Sequence, residues 1–183
     1  MGGGALHIRA AAAVAPEELV IFGVDPGLRV TGYGAVLCAG QKTTLIGFGV
    51  SRTDPASPVE ERLLQLRDDL SEAMQRLGAA EVAMETPFVG QNVRSALTLG
   101  EARGAALIAA GEARVPVYHY APADVKRSVA GYGRGEKDQV ARAVVMQLGL
   151  AATPTPADAS DALAIALCHF ANRRARLLAG TRR

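Results

Sequence analysis

At 183 residues the chain fits a prior of about 100 to 200 residues per domain, which excludes large two-lobed machines. Hydrophobic residues make up 49% and charged residues 21%, so there is enough apolar surface to bury a core and global disorder is excluded as well. The net charge of +2 is unevenly placed: residues 1–85 hold 7 Lys+Arg against 11 Asp+Glu, and residues 86–183 hold 13 against 7. The second half can therefore face a polyanion, although charge alone does not prove it.

Residues 1–18 are small and Ala-rich without a sustained apolar run, and read as a flexible N-terminal extension more than a signal peptide. No apolar stretch is long and uncharged enough to span a bilayer, so no membrane association is expected. Cys38 and Cys168 lack metal or redox spacing and sit in apolar segments, as reduced core thiols of a cytoplasmic protein would.

Three strands are expected first, at 19–25, 31–38 and 43–51, with links short enough for antiparallel pairing. From Val59 the apolar positions Leu63, Leu66, Leu70, Met74 and Leu77 recur every three or four residues, which predicts an amphipathic helix. A short strand at 81–85 then makes a right-handed crossover and a parallel partner, so the sheet is mixed. Residues 92–112 read as a helix whose stripe of Ala96, Gly100 and Gly104 can lie close against a sheet. A fifth strand is expected at 115–120, helices at 122–130 and 137–148 around a Gly-rich basic loop, and a last helix from about Pro156 into an Arg-rich tail. The domain spans 19–172 and the basic tail 173–183.

Four acidic residues stand apart from the solvated majority. Asp25 and Glu85 each close an apolar strand, where open sheets place ligands. If the crossover sets those strands side by side, the two carboxylates are about 4.8 Å apart, one strand spacing. Asp158 and Asp161 are three apart at the start of the last helix and share a face. Thr155-Pro156-Ala157-Asp158 also matches a helix N-terminus, and capping alone would account for Asp158. Asp161 is harder to dismiss, because the helix is apolar nearly all round and a buried carboxylate needs a partner. Four such groups together would repel unless cations lay between them. Oxygen ligands without thiolate or imidazole favour Mg²⁺ or Mn²⁺, and two such ions about 4 Å apart can activate water and stabilise the leaving oxygen of a phosphodiester. His169 lies eight residues past Asp161, about 12 Å along a helix, and reads as a core or partner-contact histidine.

The runs GVDPGLRVTGYG (23–34), AMETPFVGQN (83–92), ALTLGEARG (96–104), VKRSVAGYGRGEK (125–137) and ADASDALAIALCH (157–169) together resemble the RuvC-type Holliday junction resolvases, in order from about residue 20 to 170. The resemblance implies an α/β, ribonuclease H-like fold: a five-stranded mixed sheet, its first three strands antiparallel, with helices on both faces. It implies a homodimer that nicks four-way DNA junctions symmetrically with two Mg²⁺ per active site, Mn²⁺ serving as an alternative, and a branch-migration helicase complex as partner. The family's metal-binding, catalytic carboxylates fall on Asp25, Glu85, Asp158 and Asp161. Phe88 matches a phenylalanine that can wedge into or stack on bases at the junction, with an apolar side chain closing the sheet edge as the alternative. Lys126 and Lys137 match lysines that hold phosphate near the active site. Arg94, Arg103 and Arg134 extend this DNA-binding track, each also readable as a solvated helix charge.

Three other readings remain open at this level. A ribonuclease H-like nuclease of structured RNA would share the chemistry. An ATP-binding domain of the kinase and actin type shares the Asp25-Pro26-Gly27…Thr31-Gly32 loop, but needs a second copy that the chain lacks. A non-catalytic DNA-binding module is disfavoured by the intact carboxylate set.

Overall fold

The computed structural model describes residues 18–86, 93–131 and 137–180. In chain order the elements are β1 (Glu18–Asp25), β2 (Val30–Ala39), β3 (Lys42–Arg52), α1 (Val59–Leu77), β4 (Glu81–Glu85), α2 (Val93–Glu112), β5 (Val117–Tyr120), α3 (Pro122–Ala130), α4 (Lys137–Leu148) and α5 (Ala157–Gly180). The strands form one sheet in the order β3-β2-β1-β4-β5. Short links make β1, β2 and β3 antiparallel, and the crossovers through α1 and α2 make β4 and β5 parallel to β1. The mixed sheet is the one that the resemblance implies.

Each face of the sheet buries its own apolar layer. On one side Phe22, Val24 and Met84 pack against Leu66, Leu70 and Met74 of α1 and the alanines of α2. On the other, Ile21, Val36 and Ala83 pack against α3, α4 and the apolar α5. Alternation along each strand divides the residues between the two layers.

α5 lies unusually close to the sheet, and glycine is the reason. A Cβ at Gly23 would stand 1.9 Å from the carbonyl oxygen of Ala162, and one at Gly32 1.9 Å from that of Asp158. Backbone approaches backbone at both points, which only a residue without a side chain permits.

Three local expectations change. Gly100 and Gly104 do not face the sheet: a Cβ on either would meet nothing within 4 Å. Ala102, Ala105, Ala106, Ala109 and Ala110 form the packed stripe instead, because one methyl fills the gap that glycine would leave empty. β5 begins at Val117 rather than 115, since the amide of Val115 is bonded to the carbonyl of Ala110 at the end of α2, 2.9 Å away. α5 begins at Ala157, which leaves Pro156 outside the first turn with its carbonyl accepting the amide of Ala159. The helix then continues through Gly180, so residues 173–180 of the basic tail are helical. Among the described residues no helix is long and apolar enough to cross a membrane.

Candidate active site

Asp25 is the last residue of β1 and Glu85 the last of β4. The register pairs Val24 with Met84, so the two carboxylates leave neighbouring strands at the same rim. Gly23 and Ala83 face α5, and the two-residue period turns Asp25 and Glu85 to that side as well. Asp161 joins them from α5, one residue before the Ala162 whose carbonyl rests on Gly23. The three acids and Lys126 of α3 line one cleft of about 210 Å³, floored by Val140 and Ile165.

The cleft opens onto a second concavity that shares Asp25 and Glu85 and adds Thr86, Leu99 and Arg103. Arg103 is half-buried here. Its guanidinium donates to the carbonyl oxygen of Glu85 and reaches Nδ1 of His119 at 2.7 Å. Burial and then the Arg103 charge push the His119 pKa down, so its imidazole stays neutral and can accept that bond. Arg103 therefore steadies the strand end that carries Glu85.

Asp158 borders a third concavity, a broad groove of about 540 Å³ between the β1–β2 loop and the first turns of α2. Arg29, Arg94, Ser95 and Thr98 line it with Asp158. The structure thus draws Asp25, Glu85, Asp161 and Lys126 together, with Arg103 behind them and Asp158 and Arg94 on the adjoining flank. Lys137 opens α4; its side chain, Phe88 and Arg134 lie outside the described residues.

Among the described residues no three His, Cys, Asp or Glu side chains form a ready-made metal cage. The donor chemistry of the cleft nevertheless fits a hard divalent cation: three carboxylates line it, with no thiolate and no imidazole.

Sequence reasoning passed over three residues. Arg29 follows Asp25 by four positions on the tight β1–β2 loop, and Arg62 braces that loop by donating to the carbonyl of Leu28 at 3.2 Å. Gly32 admits Asp158 to the sheet. Glycine inside a strand was a readable sign of close backbone approach; the reach of Arg62 across the fold left no local trace.

The model of the family described as crossover junction endodeoxyribonuclease RuvC matches residues 21–169. The chain belongs to the RuvC family. A RuvC of Anaeromyxobacter sp. (strain Fw109-5) is 46% identical over 159 residues, which cover 87% of this chain and 76% of that protein. The RuvC of Chloroflexus aggregans is 47% identical over 148 residues, 81% of this chain and 90% of the relative. Among solved structures, T. thermophilus RuvC in complex with Holliday junction substrate superposes with a TM-score of 0.81 at 39% identity, over 85% of this chain and 95% of that one. RuvC-family membership and this superposition establish the ribonuclease H-like fold.

Proposed function

We propose that the chain, a crossover junction endodeoxyribonuclease by family, resolves four-way DNA junctions by hydrolysis at the rim where Asp25, Glu85 and Asp161 meet. The observation that carries this reading is the convergence of three carboxylates, from two strand ends and a helix, on one cleft beside Lys126.

In this reading Asp25, Glu85 and Asp161, joined by Asp158 from the adjoining flank, would hold two divalent cations, Mg²⁺ or Mn²⁺, which when bound would supply activation of a water and neutralisation of charge on the leaving 3′-oxygen. The protein does the rest. Lys126 holds a non-bridging phosphate oxygen as a point charge, and Lys137 extends that contact. Arg103 fixes the end of β4, so the Glu85 carboxylate enters the cleft at one angle. The apolar floor of Val140 and Ile165 limits water on the helix side of the phosphate. Phe88 supplies the ring that stacks in the opened junction centre, and Arg94 and Arg134 extend the backbone contacts.

A four-way junction has two-fold symmetry, and a homodimer matches it. The outward face of α2 supports such a pairing. Val93, Leu97 and Ile108 lie on that face at 68%, 64% and 57% exposure, and a Cβ at Gly100 or Gly104 between them, or at Gly111 just beyond, would meet nothing within 4 Å. Each glycine there costs the helix about 1 kcal/mol relative to alanine and gains the single chain no contact, whereas a second copy could approach closely. The working enzyme comprises residues 19–172 as nuclease domain with 173–183 as a basic tail, acts in the cytoplasm, and takes its junctions from a branch-migration helicase complex.

A cleavage assay on a synthetic four-way junction, with and without divalent metal, tests the proposal. Paired nicks in opposite strands are expected with Mg²⁺ or Mn²⁺ and none in chelator. Equal cutting of linear duplex or structured RNA would overturn it.

A further inference from the structure

The β1–β2 loop is far more tightly braced than a surface turn of its length requires. Thr31 closes it from within, its hydroxyl donating to the carbonyl of Gly27 at 2.7 Å and accepting the Gly27 amide at 3.1 Å. Thr53 closes it from β3: its hydroxyl donates to the carbonyl of Leu28 at 2.5 Å and its amide donates to the carbonyl of Arg29 at 3.2 Å. Arg62 of α1 adds two more bonds, to Thr53 Oγ1 at 3.0 Å and to the Leu28 carbonyl at 3.2 Å. The carbonyls of Gly27, Leu28 and Arg29 are all engaged, and the side chain of Leu28 is buried in the core.

The Arg29 side chain is the exception. It is exposed, and among the described residues neither its guanidinium nor that of Arg94 has a hydrogen-bond or ion-pair partner. Both line the groove that Asp158 borders, with the hydroxyl of Thr98 beside them. That groove adjoins the concavity containing Arg103, the two sharing Leu99 in their walls, and that concavity shares Asp25 and Glu85 with the catalytic cleft. Lys126 lines the cleft, and Arg29 and Arg94 line the groove. Cationic side chains thus stand beside the acids in both places, as a phosphate backbone laid across these concavities would require.

We infer that Arg29, with Arg94, forms a phosphate-backbone subsite for the DNA strand on the Asp158 side of the scissile bond, and that the hydrogen-bonded loop preorganises it. The inference rests on the junction-nuclease reading and extends it to Arg29, which that reading does not use, with Arg94 as its neighbour across the groove. A guanidinium presents a planar fork of donors that suits a phosphate bidentately. A rigid platform lowers the ordering cost of binding. The contact is to backbone, so it strengthens binding to every junction sequence by the same factor.

The test is junction affinity across a salt series, measured in chelator so that no cleavage intervenes. Arg29→Gln should weaken binding severalfold at low salt and reduce the slope of log affinity against log salt by about one, the loss of one phosphate contact. Arg29→Lys should keep the slope, and Arg76→Gln, an exposed arginine in the last turn of α1, which leads into the start of β4 and so lies at the end of the sheet opposite the carboxylates, should leave both quantities unchanged. Thermal melts of the three variants show whether each remains folded. A wild-type slope in Arg29→Gln, or an equal loss in Arg76→Gln, would overturn the subsite. A wild-type chain that binds no junction at all would overturn the nuclease reading, and the subsite with it.

Discussion

The carbonyl oxygen of Asp158 stands 1.9 Å from the point where Gly32 would carry a Cβ. The first turn of α5, with both helix-borne carboxylates, is therefore seated directly on the backbone of β2. Gly23 makes the same contact one turn on, with Ala162. Gly32→Ala must lift that turn away from the strand ends. It is expected to cost about 1–3 kcal/mol of stability, as overpacking does, and to depress junction cleavage beyond what the lost stability explains. Chemical denaturation and a cleavage assay on the folded fraction check this, and full activity in the variant would refute it.

Asp161→Asn should reduce cleavage by at least about a hundredfold, the scale of losing one group that stabilises transition-state charge. Binding of the junction in chelator should survive, since no basic contact is removed. Undiminished cutting with Mg²⁺ would remove Asp161 from the site.

Arg103→Ala should lower the cleavage rate at saturating junction more than it weakens binding, because the guanidinium holds the Glu85 strand end and His119. If binding alone falls, Arg103 acts as a DNA contact rather than through Glu85.

His169 is fully buried, its Nε2 donating to Glu81 at 2.6 Å and its Nδ1 accepting from the Tyr120 hydroxyl at 2.5 Å. Burial lowers its pKa, outweighing the opposing effect of Glu81. In the unfolded chain the imidazole titrates near about 6.5, so below that pH the unfolded state binds a proton that the folded state resists. Its contribution is therefore complete above about pH 6.5 and declines on acidification. His169→Gln should be less stable than the wild type at pH 7.5, with the gap narrowing by pH 5. Glu81, Tyr120, Arg173 and Arg176, which face the ring, are unchanged in the comparison. Urea unfolding at the two pH values checks it, and a constant gap would refute the assignment of a buried neutral imidazole.

Leu97→Glu should shift the chain from dimer to monomer in sedimentation without loss of folding, because Leu97 is 64% exposed on α2. Paired nicks should give way to single ones. An unchanged sedimenting mass would place the contact between copies elsewhere.

The element types and order were legible because each rests on short-range chemistry. Period-two apolar runs made the strands, three-four spacing made α1, and Asp25 and Glu85 could be marked because each ends such a run. Element ends were less legible: the start of β5 depends on the Val115 amide completing α2, a bond that no propensity encodes. The direction in which Gly100 and Gly104 face was not legible either, since a helical pattern of small residues fits a close sheet contact and an open surface equally well.

The sequence by itself determined which residue types could meet, and the RuvC motifs named the chemistry. Only the tertiary structure decided how the acids divide, with Asp25, Glu85 and Asp161 in one cleft and Asp158 on the flank beside Arg29. That division depends on the height and rotation of α5 above the sheet, which are set where Gly23 and Gly32 let two backbones touch. Contacts between residues more than a hundred positions apart are fixed by packing, and no local pattern records them.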